Sequence, residues 1–430
     1  MKRRLPVVAL SLLVVAGLVG CGETSSSNST SDVEESTSVQ TEPDDVVDLT
    51  VWASTVDSAA MDEIQDGFNE MYPMTPITIT VSEVSEGDVG GRYAEDPDAV
   101  PDIAHVPGDV VSDMITNNYI APFTDADEVL DGDIPASALA TAEDSNGTVY
   151  GLPFSINTFF MYYDTSFYTE DQITSLEAMI ATAKAAGDDT AFSFENSNGW
   201  YAQSFFMSDG DGIFTENGTN PNETYLNETA ALNAVKAMVE IYKAGNCDFD
   251  DPDTISTNLP NSHAFVSGSW SYDSVAAAWG EENVGMTNLP TVKMGGEDTQ
   301  LLSVGDYKSI VVSNNSEHKT LAKKLAYYMA SAEGQLLRWE NNGGSTVPTS
   351  SELNSDADFI AENKFANVIN DVLLSGTFKQ DNNVNFSRWW DAWPTCQTSI
   401  KNNYATATDD DLAGYLATLD ATLTAASTAA

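Results

Sequence analysis

Short apolar strands alternate with helically spaced apolar residues from about residue 48 onward, and this alternation narrows the possible folds more than any other feature. Residues 48–52 alternate in the manner of a strand, and Met61, Ile64, Phe68 and Met71 follow at helical spacing. Ile77, Ile79 and Val81 alternate with Thr in a second strand. Residues 102–106 form a third, closed by Pro107-Gly108-Asp109, and a helix beginning near Asp109 carries Val110, Met114 and Ile115. Strand–helix–strand order of this kind predicts an α/β fold with a mainly parallel sheet flanked by helices.

The pattern continues to the end of the chain. Residues 149–155 and 158–163 read as apolar, aromatic strands joined at Ile156-Asn157. Helices are predicted over 176–186 and 228–243, with short strands at Phe192/Phe194, 264–266, 284–289 and 309–312. Leu321, Leu325, Tyr328 and Met329 share a helical stripe, and so do Leu412, Leu416, Leu419 and Leu423. No internal repeat is present. About 380 residues of such alternation suffice for two lobes.

One stretch stands out chemically. Residues 386–393, Phe-Ser-Arg-Trp-Trp-Asp-Ala-Trp, place Trp389 and Trp393 on one helix face and Trp390 on another. Two readings fit: a buried helix whose indoles fill space, or an aromatic platform. Flat aromatic faces suit the apolar C–H faces of sugar rings, while neighbouring carboxylate and guanidinium groups suit ring hydroxyls.

The first 47 residues have a different character. Lys2, Arg3 and Arg4 precede an apolar run ending in Leu18-Val19-Gly20-Cys21, the pattern of an export signal over 1–20. The closing tetrad resembles the bacterial lipobox, in which cleavage precedes a Cys that becomes lipidated; Cys21 is the expected lipid-bearing residue. Residues 21–47, rich in Ser, Thr, Asn and acids, have too little apolar surface to fold and are expected to form a flexible tether.

Charge excludes some partners. The chain has 17 Lys+Arg against 66 Asp+Glu, a formal net charge of −49. Binding to nucleic acid or to an anionic lipid surface is therefore not expected. No CxxC occurs and His105, His263 and His318 are scattered, so no metal or cofactor is expected. Acidic clusters at 125–133 and 248–253 lack the mid-loop Gly and terminal Glu of an EF-hand. Cys247 and Cys396 allow either one disulfide or two separate thiols. P-loop, GxGxxG and GxSxG motifs are absent.

A series of short motifs falls into a recognisable order: 49–54, Pro101-Asp102-Ile103, 118–123, 146–153, Tyr162-Tyr163-Asp164, Asp209-Gly210, Glu216-Asn217-Gly218, Gly268-Ser269-Trp270 and 343–348. Taken together they resemble the extracellular solute-binding proteins of ABC transporters, specifically the maltose/oligosaccharide-binding group. The resemblance implies a two-lobed periplasmic-binding-protein-like fold with a hinge of crossing strands. One lobe is expected at 48–155 plus 290–333 and the other at 156–289 plus 334–430. It also implies an oligosaccharide ligand, ABC permease subunits as partners, a monomer, and no catalytic step.

By position, the resemblance makes Ser54, Asp57, Asp109 and Asn157 candidate polar contacts. A carboxylate such as that of Asp109 accepts hydrogen bonds from two adjacent hydroxyls; as a rival reading it caps a helix. Asn157 stands where maltose binders carry Glu, and its rival reading is a bend residue. Trp200, with Tyr201 as the spare, Trp270, and Trp390 ahead of Trp389 match the stacking aromatics. Val106 replaces a Trp of the maltose binders, and Val110 replaces a basic residue, which points to another oligosaccharide or another register. A secreted glycoside hydrolase or a polysaccharide adhesin would also use such aromatics, and a polyamine carrier would use the acids.

Overall fold

The computed structural model describes residues 45–425 except 188–189, 209–211, 216–219, 221, 250–256, 376 and 380–386. The export signal, Cys21, nearly all of the tether, Phe386 and the motifs at 209–210 and 216–218 lie outside the described residues.

The strands of the first half are β1 (Val47–Ala53), β2 (Ile77–Glu83), β3 (Ile103–Pro107), β4 (Gly151–Asn157), β5 (Phe160–Asp164) and β6 (Phe192–Ser193). They are followed by β7 (Cys247–Asp248), β8 (Ala264–Ser267), β9 (Val284–Thr287), β10 (Thr291–Met294), β11 (Glu297–Gln300), β12 (Ser303–Val312) and β13 (Thr377–Lys379). One sheet runs β13-β12-β3-β1-β2, with β4 also paired to β12; a second runs β7-β6-β8-β5-β9. The sheets are mixed. β1 is parallel to β2 and β3, as the opening strand–helix–strand units require, whereas β12 is antiparallel to β3 and β4. In the second sheet β6 is parallel to β7 and β8, and β5 is antiparallel to β8 and β9.

Side-chain alternation sends each strand's residues to two covered faces. In the first sheet Leu49, Val51 and Ile310 meet the helices Met61–Met71 and Lys319–Ala330 on one face. Ala104, Val106 and Val311 meet Val111 and Met114 of the helix Gly108–Thr116 on the other. In the second sheet Met161 and Tyr163 join one core cluster, and Phe160 and Tyr162 another. Burial on both faces explains why β5, from Phe160 to Tyr163, reads as aromatic and apolar without polar alternation.

Two strands tie the lobes together. Only Thr158 and Phe159 separate β4, in the first sheet, from β5, in the second. β12 has Val304 in the second lobe's core and Ile310 and Val312 in the first lobe's core. A third segment follows the helix Ala332–Asn341: Ile156 N donates to Val347 O at 2.9 Å, and Thr349 Oγ1 donates to Pro153 O at 3.0 Å. Cys247 and Cys396 are separate free thiols, each pushed up to about 12 by burial.

Candidate functional site between the lobes

The expected aromatic residues converge on the start of one helix. Asn198 caps the helix Gly199–Phe206, its side chain accepting from Trp200 N at 2.9 Å. Gly199 leaves room for two indoles: a Cβ there would stand 2.5 Å from Trp389 Nε1 and 3.2 Å from Trp390 Cε3. Cap, glycine and stacking residue therefore form one local device. The half-buried Trp200 ring lies 5.7 Å from that of Trp270, tilted by 35°, and edge-on to Phe159 at 4.8 Å. Trp270 sits in a turn that requires Gly268, because a Cβ there would be 2.0 Å from the indole. Tyr201 is buried beneath the pair, its hydroxyl meeting Ser267 and Trp270. Burial raises its pKa well above the usual range. Tyr201, expected as the spare stacking residue, packs against Trp200 with ring centres 5.2 Å apart.

Adjacent Trp389 and Trp390 have opposite fates. Both lie on the helix Ser387–Asn403. Trp389 stacks on Trp393 at 5.1 Å, both are fully buried, and their indole nitrogens donate to Gly199 O and Asn196 O at 2.9 and 2.7 Å. Trp389, expected among the ligand contacts, is enclosed on its faces and hydrogen-bonded at its only polar atom. Trp390 is half-buried and hydrogen-bonds Asp109 of the other lobe.

Asp109 occupies the first turn of its helix, whose cap position is Pro107. Burial and the Asp306 carboxylate push its carboxyl up to about 7. Asp306 lies on β12 directly opposite Asn157 of β4, and it accepts a hydrogen bond from Gly108 N at 3.1 Å. Asn157 is a buried strand residue at the lobe crossing, not a bend. Two residues along β12, Lys308 pairs with Glu86 at 3.1 Å, its ammonium 5.8 Å from the Trp270 ring centre.

Ser54 and Asp57 are brought elsewhere. Ser54 caps the helix Thr55–Ser58 and bonds Asp57 at 3.4 Å. Asp57 is fully buried: Thr346 Oγ1 donates to it at 2.8 Å, His105 Nδ1 lies at 3.4 Å and Arg338 Nε at 3.6 Å. Burial alone would raise its pKa, but His105 and Arg338 outweigh that and hold it far below the carboxylate range. Burial keeps His105 itself shifted down and neutral. Asp57 was expected to meet ligand; its oxygens lie against Thr346 of the third crossing segment and against His105 and Arg338.

Sequence reasoning missed Asp306, Lys308, Glu86 and Arg338. The strand was expected to begin at residue 309, whereas β12 begins at Ser303. Its polar half, where Asp306 and Lys308 share a face, contains no apolar alternation.

Comparison with known proteins agrees with this architecture. Residues 63–367 match the family described as bacterial extracellular solute-binding protein. The galactooligosaccharide-binding protein of Bacillus subtilis (strain 168) is 24% identical over 269 residues, covering 60% of this chain and 62% of that one. The maltooligosaccharide ABC transporter solute-binding lipoprotein of Streptococcus pneumoniae (strain ATCC BAA-255 / R6) is 24% identical over 298 residues, 66% of each chain. The chain thus spans just under two thirds of these relatives. A structure solved with acarbose is 26% identical with a TM-score of 0.79, covering 88% of this chain and 98% of that one. MalX from Streptococcus pneumoniae in complex with maltopentaose, 17% identical over 86% of this chain and 99% of its own, has a TM-score of 0.71 and shares the fold. The family match covers well over half of the residues, and the chain belongs to the bacterial extracellular solute-binding proteins.

Proposed function

We propose that this protein captures a neutral oligosaccharide, of the maltodextrin kind or related, between its lobes and delivers it to the permease of an ABC importer without chemical change. The observation that carries this reading is the Trp200–Trp270 pair, two half-open indoles from separate segments, with Trp390 and Asp109 meeting across the lobes beside it. Indole faces take the C–H faces of pyranose rings, and Asp109 and Asn157 take their hydroxyls. Trp389, Tyr201, Ser54 and Asp57 support this arrangement from behind.

Lobe closure around the sugar is a hinge motion of β4, β12 and the segment at 346–350. We take the lobes at the expected boundaries with two changes. The hairpin β10–β11 and Leu301 go with the second lobe, because Val292, Met294 and Leu301 lie in its core. The helix Ala332–Asn341 goes with the first, since Arg338 binds Asp57. The export signal, lipid on Cys21 and the tether hold a monomer at the outer face of the cytoplasmic membrane. The relatives are named as binding proteins, and two of those names include the word lipoprotein.

Calorimetry against malto-, galacto-, xylo- and fructo-oligosaccharides tests the reading. Binding tighter than about 1 mM, a free energy beyond about −4 kcal/mol, is expected for at least one series, without release of smaller sugars. If no series binds that tightly, the reading is wrong.

A further inference from the structure

Lys308 occupies an unusual place. It lies on the crossing strand, paired in register with Pro107 of β3 on one side and Ser155 of β4 on the other. The β4–β12 ladder shifts register between Lys308 and Ser309, and such irregularities re-aim a side chain. The re-aimed ammonium reaches Glu86 of the first lobe at 3.1 Å and lies 5.8 Å from the ring centre of Trp270 in the second. Both side chains of the ion pair keep some exposure, 19% for Lys308 and 14% for Glu86. Burial opposes the charge on Lys308, but the Glu86 and Asp57 carboxylates outweigh it and raise its pKa, so it stays protonated.

A purely structural ion pair explains this poorly. Desolvating two charges offsets most of what their attraction returns, so apolar residues would brace the strand as well. Among the described residues Glu86 is the hydrogen-bond acceptor of Lys308, and an ammonium has three N–H donors. A sugar hydroxyl both donates and accepts, and a cation that lies over an indole ring and beside a carboxylate is the complement of one hydroxyl in one orientation. The pair has no net charge, which suits a neutral ligand.

Building on the oligosaccharide reading, we propose that Lys308 and Glu86 bind one hydroxyl of the sugar unit stacked on Trp270, Lys308 donating and Glu86 accepting, and so set which sugar epimer is accepted. An axial hydroxyl and an equatorial one at the same carbon point in different directions from the ring. A fixed donor–acceptor pair therefore separates gluco- from galacto-configured ligands.

The test is calorimetry of the full chain with maltotetraose and with a galacto-oligosaccharide of the same length. The variants are Lys308→Met, Lys308→Arg, Glu86→Gln and, as a control on the stacking site, Trp270→Ala. Lys308→Met is expected to weaken the preferred sugar about tenfold or more and to bring the two affinities closer together. Glu86→Gln is expected to do the same to a smaller degree, while Lys308→Arg retains binding but shifts the ratio. Thermal unfolding without sugar reports whether each variant is folded. If Lys308→Met does not fold, Lys308→Arg and Glu86→Gln decide, and an unchanged ratio in both overturns the proposal. If Trp270→Ala loses binding while folded Lys308→Met keeps the wild-type affinities and ratio, the oligosaccharide reading stands and this proposal falls. If the wild type binds neither sugar, this proposal falls, and the oligosaccharide reading falls with it only if the xylo- and fructo-oligosaccharides fail to bind as well.

Discussion

The two walls of the site are built from different materials. The first lobe contributes charge: Asp109, Glu86, and behind them the sealed cluster of Asp57, His105 and Arg338. The second contributes rings: Trp200, Trp270 and Trp390, backed by Phe159, Tyr201, Trp389 and Trp393. The crossing strands carry Asn157, Asp306 and Lys308, and Lys308 reaches Glu86 of one wall and Trp270 of the other. In the proposed site each wall has a layer for contact with the sugar and a layer that holds it. The backing layer on the charged side is polar and must stay paired, whereas on the aromatic side it is close-packed and must stay full. The two walls should therefore fail in different ways.

The largest effect is expected at the charged backing. Arg338→Met leaves the Asp57 carboxylate buried without its guanidinium, a change that costs about 3–5 kcal/mol. Asp57→Asn paired with Arg338→Met should recover much of that loss, because no charge is then stranded. Urea unfolding of the single and double variants measures both. A single variant as stable as wild type would show that the cluster is not a structural brace.

On the aromatic wall the adjacent indoles separate backing from contact. Trp389→Ala opens a cavity in a close-packed core and is expected to cost about 3 kcal/mol of stability. Trp390→Ala removes a half-buried ring that the proposed function places against the sugar, so stability should fall by less than about 1 kcal/mol while sugar affinity drops tenfold or more. Equal stability losses in the two variants would erase the distinction between layers.

How much of this was readable in advance follows the same division. The opening strand–helix–strand units were legible because alternation is a local signal, and β1, β2 and β3 fall where it placed them. The helix carrying Trp389 and Trp393 on one face was legible for the same reason. Spacing assigns a face but not a depth, so it could not say which of Trp389 and Trp390 would be enclosed. That depended on Gly199 and Asn196, which arrive from another part of the chain. Asp57 has the right position for a ligand contact. Its burial beside Arg338 and Thr346, close in space and far in sequence, was not readable from that position. Lys308 was missed because a polar face on a strand crossing a cleft has no apolar rhythm to betray it.

A smaller and directional effect tests the charged wall at Asp109. Its folded pKa of about 7 lies above the ordinary 3.8, so the native state holds that proton more tightly than the unfolded chain does. The resulting stability is fully present below about pH 4 and is lost as pH rises through about 7. Asp109→Asn, which stays neutral, should match wild type at pH 4 and exceed it at pH 8 without sugar, by less than the about 4 kcal/mol that the full shift is worth because the residue is only half-buried. Denaturant titrations at both pH values check this. A variant that is no more stable at pH 8 would mean that Asp306 and burial do not hold the proton in place.

Salt gives the smallest effect and bears on both walls at once. With a formal net charge of −49, exposed carboxylates repel one another across the whole surface. Raising NaCl from about 0.05 M to about 1 M shortens the screening length several-fold and should raise the melting temperature by a few degrees. The site itself should barely respond. A neutral sugar lying on indole faces brings no net charge, and the Asp109, Glu86 and Lys308 groups that face it are partly shielded from bulk ions. Affinity is therefore expected to change by less than about twofold over the same range, since an uncharged ligand brings no long-range Coulomb energy for salt to screen. A steep salt dependence of binding would mean that the charged wall attracts a charged ligand, and the aromatic wall would then be a lining and not the principal binding surface.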